Sequence, residues 1–263
     1  MSVEHATGEK EMEGKSVAYD HLLRQFTTAP PGKLYCVHGT GRVFRLSLAA
    51  VAQVLLAPRV NGRIGEPFTG RPVALVDGTN RFDVHYLAEF ARRLACRPAS
   101  SAGARHDGRR ITPEDLLDRI FVSRAFTCYQ MEAAITERLP AFLRRSGSSV
   151  AVIFGLLDTF YDEQAPFFEV STALQRIITA LQHLRDGNVA VLLASRDVTL
   201  ASKERNGLFP VLLRSMDRVF HMVEAGEGRH ILNESAAFRP LPGNGKEKEM
   251  LMGRRALPAA SLR

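Results

Sequence analysis

The residues Cys36-Val37-His38-Gly39-Thr40-Gly41-Arg42-Val43 lie between two apolar runs, Leu34 to Val37 and Phe44 to Ala57. A strand entering a Gly-containing turn and a helix leaving it is where α/β proteins hold phosphates, because backbone N–H groups converge on the anion there. A working loop reads Gly, four residues, Gly, Lys, then Ser or Thr. Its Lys neutralises the terminal phosphates and its hydroxyl ligates Mg²⁺. Here the first Gly is Cys36, the Lys is Arg42 and the hydroxyl position is Val43. Gly39, Thr40, Gly41, Arg42 and Val43 are therefore candidates for a degenerate phosphate site. Arg42 still suits an oxyanion as a donor, whereas a Val methyl cannot hold a metal.

Alternating strands and helices position this turn. Val73 to Asp77 is a short apolar run closing on Asp-Gly, and Val84 to Leu94 follows with helical spacing of Leu87, Phe90, Ala91 and Leu94. Ile120 to Val122 reads as a strand, and Ala125 to Arg145 as a helix broken at Pro140. Ser149 to Leu157 and Val189 to Ala194 read as buried strands flanking a helix from Val170 to Arg185. Arg218 to Val223 and Arg229 to Asn233 read as a closing hairpin. Buried strands alternating with helices imply an α/β fold with a mostly parallel twisted sheet covered on both faces. Ligands of such sheets bind at the carboxyl ends of the strands.

The chain has 263 residues, 45% hydrophobic and 24% charged, which suits one large domain with ragged ends. Residues 1–17 read as a polar arm, 18–238 as the α/β domain and 239–263 as a flexible basic tail. No apolar run approaches the roughly 18 residues of a membrane span. The polar start is unlike a signal peptide, and the isolated cysteines Cys36, Cys96 and Cys128 suggest neither disulfides nor a zinc site. These features imply a cytoplasmic protein. A net charge of +7 favours an acidic partner such as DNA, although an arginine-rich proteome produces the same balance.

Four segments resemble the ATPase core of the RecA/RadA recombinase family, in its archaeal and eukaryotic-like branch. Val76-Asp77-Gly78-Thr79-Asn80-Arg81-Phe82-Asp83, with Leu87, is similar to an Asp-Thr-Glu-Gly-Thr-Phe-Arg element. Ser123-Arg124-Ala125-Phe126-Thr127, with Gln130, is similar to the Ala-Arg-Ala-Phe…Gln element. Val150 to Tyr161 occupies the Walker B position, and Val189 to Arg196 the strand that ends in Thr-Asn-Gln. The resemblance spans about residues 30 to 235 and implies a RecA-like P-loop NTPase core with a C-terminal β-hairpin.

It also implies that the catalytic parts are missing. The Glu that activates water corresponds to Thr79, the Walker B carboxylate falls near Phe154 or Gly155, and the sensor Gln is Arg196. Asp77 and Asp158 are the carboxylates left to approach a metal, and Arg196 a donor left for phosphate. Phosphoryl transfer depends on positioned charge and metal, so no catalytic residue is assigned, no dedicated metal site is expected, and ATP with Mg²⁺ binds weakly at most.

By the same resemblance, residues 196–214 correspond to a mobile DNA-binding loop, with Lys203, Arg205 and Arg214 as phosphate contacts. Thr159 to Phe168 corresponds to a second loop, whose acidic residues oppose phosphate binding. Arg92, Arg93, Arg97, Arg105, Arg109 and Arg110 read first as a solvated basic face. His38 reads as structural or exposed, His221 as a sheet-face residue, and Ser123 and Cys128 lack partners for a hydrolase triad. The function implied is a non-hydrolysing accessory protein of DNA recombination or repair that binds DNA, a recombinase-type partner, or both. A residual DNA-dependent ATPase and an interaction protein without a DNA role are the alternatives. The partner's identity and the oligomeric state are not legible.

Overall fold

The computed structural model describes residues 21–23, 26, 32–56, 72–95, 105–106, 109–110, 112–225 and 230–235. The polar arm, the basic tail and Arg97 lie outside them. β1 (Leu34–Gly39) leads into α1 (Val43–Leu56), and β2 (Val73–Asp77) into α2 (Val84–Ala95). A short pair, β3 (Arg105–His106) and β4 (Arg109–Arg110), precedes α3 (Pro113–Leu117). β5 (Ile120–Arg124) feeds α4 (Cys128–Ala133), a π-helical turn (Ala134–Arg138) and α5 (Leu139–Ser146). β6 (Val150–Phe154) runs into a 3₁₀ turn (Leu156–Phe160) and α6 (Phe167–Asp186). β7 (Ala190–Arg196) is followed by α7 (Lys203–Asn206) and α8 (Leu208–Arg214), then β8 (Arg218–Glu224) and β9 (His230–Ser235).

Seven of these strands form a sheet in the order β5-β2-β6-β7-β1-β8-β9, and β3 pairs separately and antiparallel with β4. Within the 7-stranded sheet the β8–β9 pair is antiparallel and the other pairs are parallel. Parallel strands are buried on both faces, and Val150 to Phe154 is accordingly buried throughout. Tyr35, Val37, Leu75, Val152 and Leu192 pack with α1, Leu87 of α2 and Leu116 of α3. Cys36, Val76, Ile153 and Leu193 face the opposite way, onto α4, α5, α6 and α8. Phe44 meets Phe154 edge-on at 5.3 Å, a ring geometry that adds about 0.5–1.5 kcal/mol beyond burial.

The chain leaves β1 and β2 toward one face, and β5, β6 and β7 toward the other. β5 beside β2, β2 beside β6, and β7 beside β1 are therefore junctions where neighbouring connections part, the expected place for a ligand in an open α/β sheet.

Pro140 does not break its helix. The N–H of Leu139 donates to Ala134 O, five residues back, in the π turn that leads into α5. Proline has no N–H and crowds the carbonyl four residues before it. A π turn at that point lets the axis continue through the proline. One helix missed in the sequence, α3, carries a legible signal. Thr112 Oγ1 accepts from Asp115 N–H, Asp115 Oδ2 accepts from Thr112 N–H, and Pro113 opens the helix.

Candidate functional site

At the phosphate-loop position the strand runs further than its residues suggest. β1 stays paired to its end, with Gly39 opposite Arg196 of β7 and Met222 of β8. Gly39 has φ +129°, and a Cβ there would lie 2.1 Å from Met222 O, so only glycine fits. The first half of the eight-residue stretch, Cys36 to Gly39, is thus sheet and not loop. Thr40, Gly41 and Arg42 alone connect β1 to α1. Thr40 N–H donates to Met222 O at 3.3 Å, and Val43 N–H to Thr40 O at 3.1 Å. The first amide of the turn and the first amide of α1 are thereby spent on protein carbonyls. Gly41 and Arg42 are exposed, whereas Val43 is fully buried in the core. Burial pushes the Cys36 thiol up to about 12, so it packs and does not react.

Asp77 ends β2 and is 1% exposed. Its Oδ1 accepts from Thr79 N–H at 3.0 Å, Thr79 Oγ1 at 3.1 Å and Arg81 N–H at 3.3 Å, and its Oδ2 from Phe82 N–H at 3.0 Å. The carboxylate organises the 78–82 turn and has little lone-pair capacity left for a cation. Thr79 packs against Gly155, where an added Cβ would sit 1.8 Å from Thr79 Cγ2. Gly155 has φ +56°, which turns the chain out of β6 into the 3₁₀ segment.

Asp158 lies within that segment. Its Oδ2 accepts one long bond, 3.4 Å, from Arg196 Nη2, while its Oδ1 is buried without a partner among the described residues. Burial raises the Asp158 pKa, and the attraction of Arg196 and Arg81 opposes that rise. Asp158 and Arg196 satisfy each other partially, and Asp77 is engaged elsewhere; the three lie in one region of the carboxyl edge.

Most of the expected DNA loop is helical. Residues 197–202 carry no helix or strand, and the chain then enters α7 and α8, where Leu208 and Leu212 are buried in the core. Arg205 corrects its own assignment: it is 6% exposed, and its guanidinium donates to Phe160 O at 2.6 Å and Ala165 O at 2.5 Å. It braces the segment after β6 from inside and is withheld from solvent. Lys203 and Arg214 are exposed but lie at opposite ends of the α7–α8 pair. They do not form one patch with Arg205.

Two arrangements escaped the sequence. His38 and His221 are in register on neighbouring strands, their rings stacked at 4.5 Å and 10°. Asp197 joins them, with Oδ1 2.7 Å from His38 Nδ1 and Oδ2 3.0 Å from His221 Nε2. Burial lowers the His38 pKa, and the Asp197 contact partly restores it. Nothing local in the sequence announces this cluster, because its members meet only through strand order. The second arrangement is a cavity of about 800 Å³ between β2, β5, the π turn and α5. Phe121, Val122, Leu139 and Phe142 line it, with Arg138 and Arg145 at its wall. β5 is an edge strand, with β2 its only neighbour in the sheet among the described residues. Phe121 is 47% and Val122 37% exposed, and Phe126 just beyond the strand is 69% exposed.

No protein-family model matches the chain, and no curated protein matches it in sequence. No helix among the described residues is long and apolar enough to cross a membrane.

Proposed function

We propose that this chain is a RecA-like accessory protein of DNA recombination or repair that does not hydrolyse ATP, and that it acts in the cytoplasm by docking a recombinase-type partner along β5. The observation that carries this reading is the β5 edge, which has no second neighbouring strand among the described residues, with its adjoining apolar cavity. An unpaired strand edge is a template for adding an extended segment, whose backbone supplies affinity while alternate side chains fill a pocket. Arg124, Arg138, Arg144 and Arg145 are exposed around this edge, which favours a segment with apolar residues flanked by acidic ones. The spent amides of Thr40 and Val43, the buried Val43 side chain and occupied Asp77 support the loss of turnover. The four resembling segments support the choice of partner class.

A second reading, nucleic-acid binding, rests on Arg42 and Arg81, exposed at the carboxyl edge, and on the charge of +7. The test compares two variants against a purified RecA-type recombinase and a single-stranded oligonucleotide, each by fluorescence anisotropy. Phe121→Glu should abolish recombinase binding and leave oligonucleotide binding unchanged. Wild-type affinity for the recombinase in Phe121→Glu, with loss of oligonucleotide binding in Arg42→Ala/Arg81→Ala, replaces the docking reading with the nucleic-acid one. In either case, Mg²⁺-dependent ATP turnover should equal a buffer blank.

A further inference from the structure

We propose that His38, Asp197 and His221 form a binding site for a divalent transition-metal ion of the zinc class. Independent pieces of backbone deliver the three ligands to one point at the β7–β1 junction. His38 and His221 stand opposite each other on parallel strands. Asp197 follows the last residue of β7 and is fixed by its N–H, which donates to Gly39 O at 3.0 Å. One ligand atom from each residue lies within 4.8 Å of the other two.

The chemistry of the set suits such an ion. Two imidazoles and a carboxylate form a borderline-soft set that favours zinc and its neighbours over Mg²⁺ or Ca²⁺. With bonds of about 2.0–2.2 Å, ligand atoms of a tetrahedral site stand roughly 3.4 Å apart. The observed 2.7 and 3.0 Å contacts to Asp197 must therefore open by about half an ångström. The stacked rings set the larger requirement. An ion lies in the plane of each imidazole it binds, and parallel planes do not share one, so one ring must turn. His221 is the ring with room to do so, its side chain 39% exposed, whereas His38 is 13% exposed. The His38 ring is also held edge-on by Phe209 at 5.2 Å. Asp197, 46% exposed, leaves the fourth position open to water, as in zinc sites with three protein ligands.

The test is calorimetric titration of chelator-stripped protein with Zn²⁺, paired with Co²⁺ absorption. One ion should bind per chain, and Co²⁺ should show the visible bands of a low-coordinate nitrogen–oxygen site. His221→Ala, at a half-buried position, and Asp197→Asn, at an exposed one, should each weaken binding by at least about tenfold. Zn²⁺ should raise the unfolding temperature of the wild type and not of these variants, since an ion bound only to the folded state stabilises it. Equal Zn²⁺ affinity in wild type and both variants, or no saturable binding in the wild type, overturns the proposal. The cluster is then a hydrogen-bonded His–Asp–His stack and nothing more.

Discussion

Replacing Arg205 separates a structural cation from a nucleic-acid contact. Its guanidinium bridges Phe160 O and Ala165 O at 2.6 and 2.5 Å while 6% exposed. A hydrogen bond from a charged donor contributes about 1.5–3 kcal/mol net. Arg205→Ala removes two such bonds and leaves both carbonyls short of a donor. The bonds share one side chain, so their sum is an upper bound, and a loss of about 3–4 kcal/mol is expected. For a domain of this size that corresponds to roughly 6–16 °C in unfolding temperature. Arg205→Lys should recover only part of it, because one ammonium cannot reproduce the planar fork. Thermal and urea unfolding followed by circular dichroism measure both variants. Unchanged stability in Arg205→Ala, together with weakened oligonucleotide binding, would refute the bracing role and restore Arg205 as a phosphate contact.

Two further outcomes follow from the carboxyl edge. Gly155→Ala should destabilise by more than about 2 kcal/mol, combining left-handed backbone strain with the overlap at Thr79 Cγ2, whereas Gly41→Ala, with nothing within 4 Å of its Cβ, should change unfolding by less than about 0.5 kcal/mol. The pKa of Asp158 is raised in the fold above its ordinary 3.8, so its contribution to stability is complete below that value and is lost as pH rises through the folded pKa. Asp158→Asn should flatten the stability profile in the acid range just above 3.8, and a pH slope identical to wild type in urea titrations would contradict this.

The sheet was legible because each strand announces itself locally. Val73 to Asp77 is continuous apolar chain closing on Asp-Gly, and the structure returns the same bounds. Elements without a strong period were lost: α7 and α8 hide between Asp197 and Arg214, where a mixture of charges resembles a solvated loop. The Gly-containing turn between strand and helix was visible in the sequence, but not the extension of β1 through Gly39, because that depends on pairing with Arg196 and Met222. Arg205 illustrates the same limit. A basic residue reads as surface until the carbonyls that hold it inside are known. The His38–Asp197–His221 cluster and the β5 cavity arise from strand order, which local patterns do not encode.

The docking claim is tested most directly by backbone hydrogen exchange of the full chain, alone and with a RecA-type recombinase. An added strand should protect the amides of Ile120–Arg124 and slow exchange around Phe142, leaving Thr40–Arg45 and Thr79–Phe82 unchanged. Protection confined to those two carboxyl-edge segments, or no protection of β5 at saturating recombinase, would contradict it.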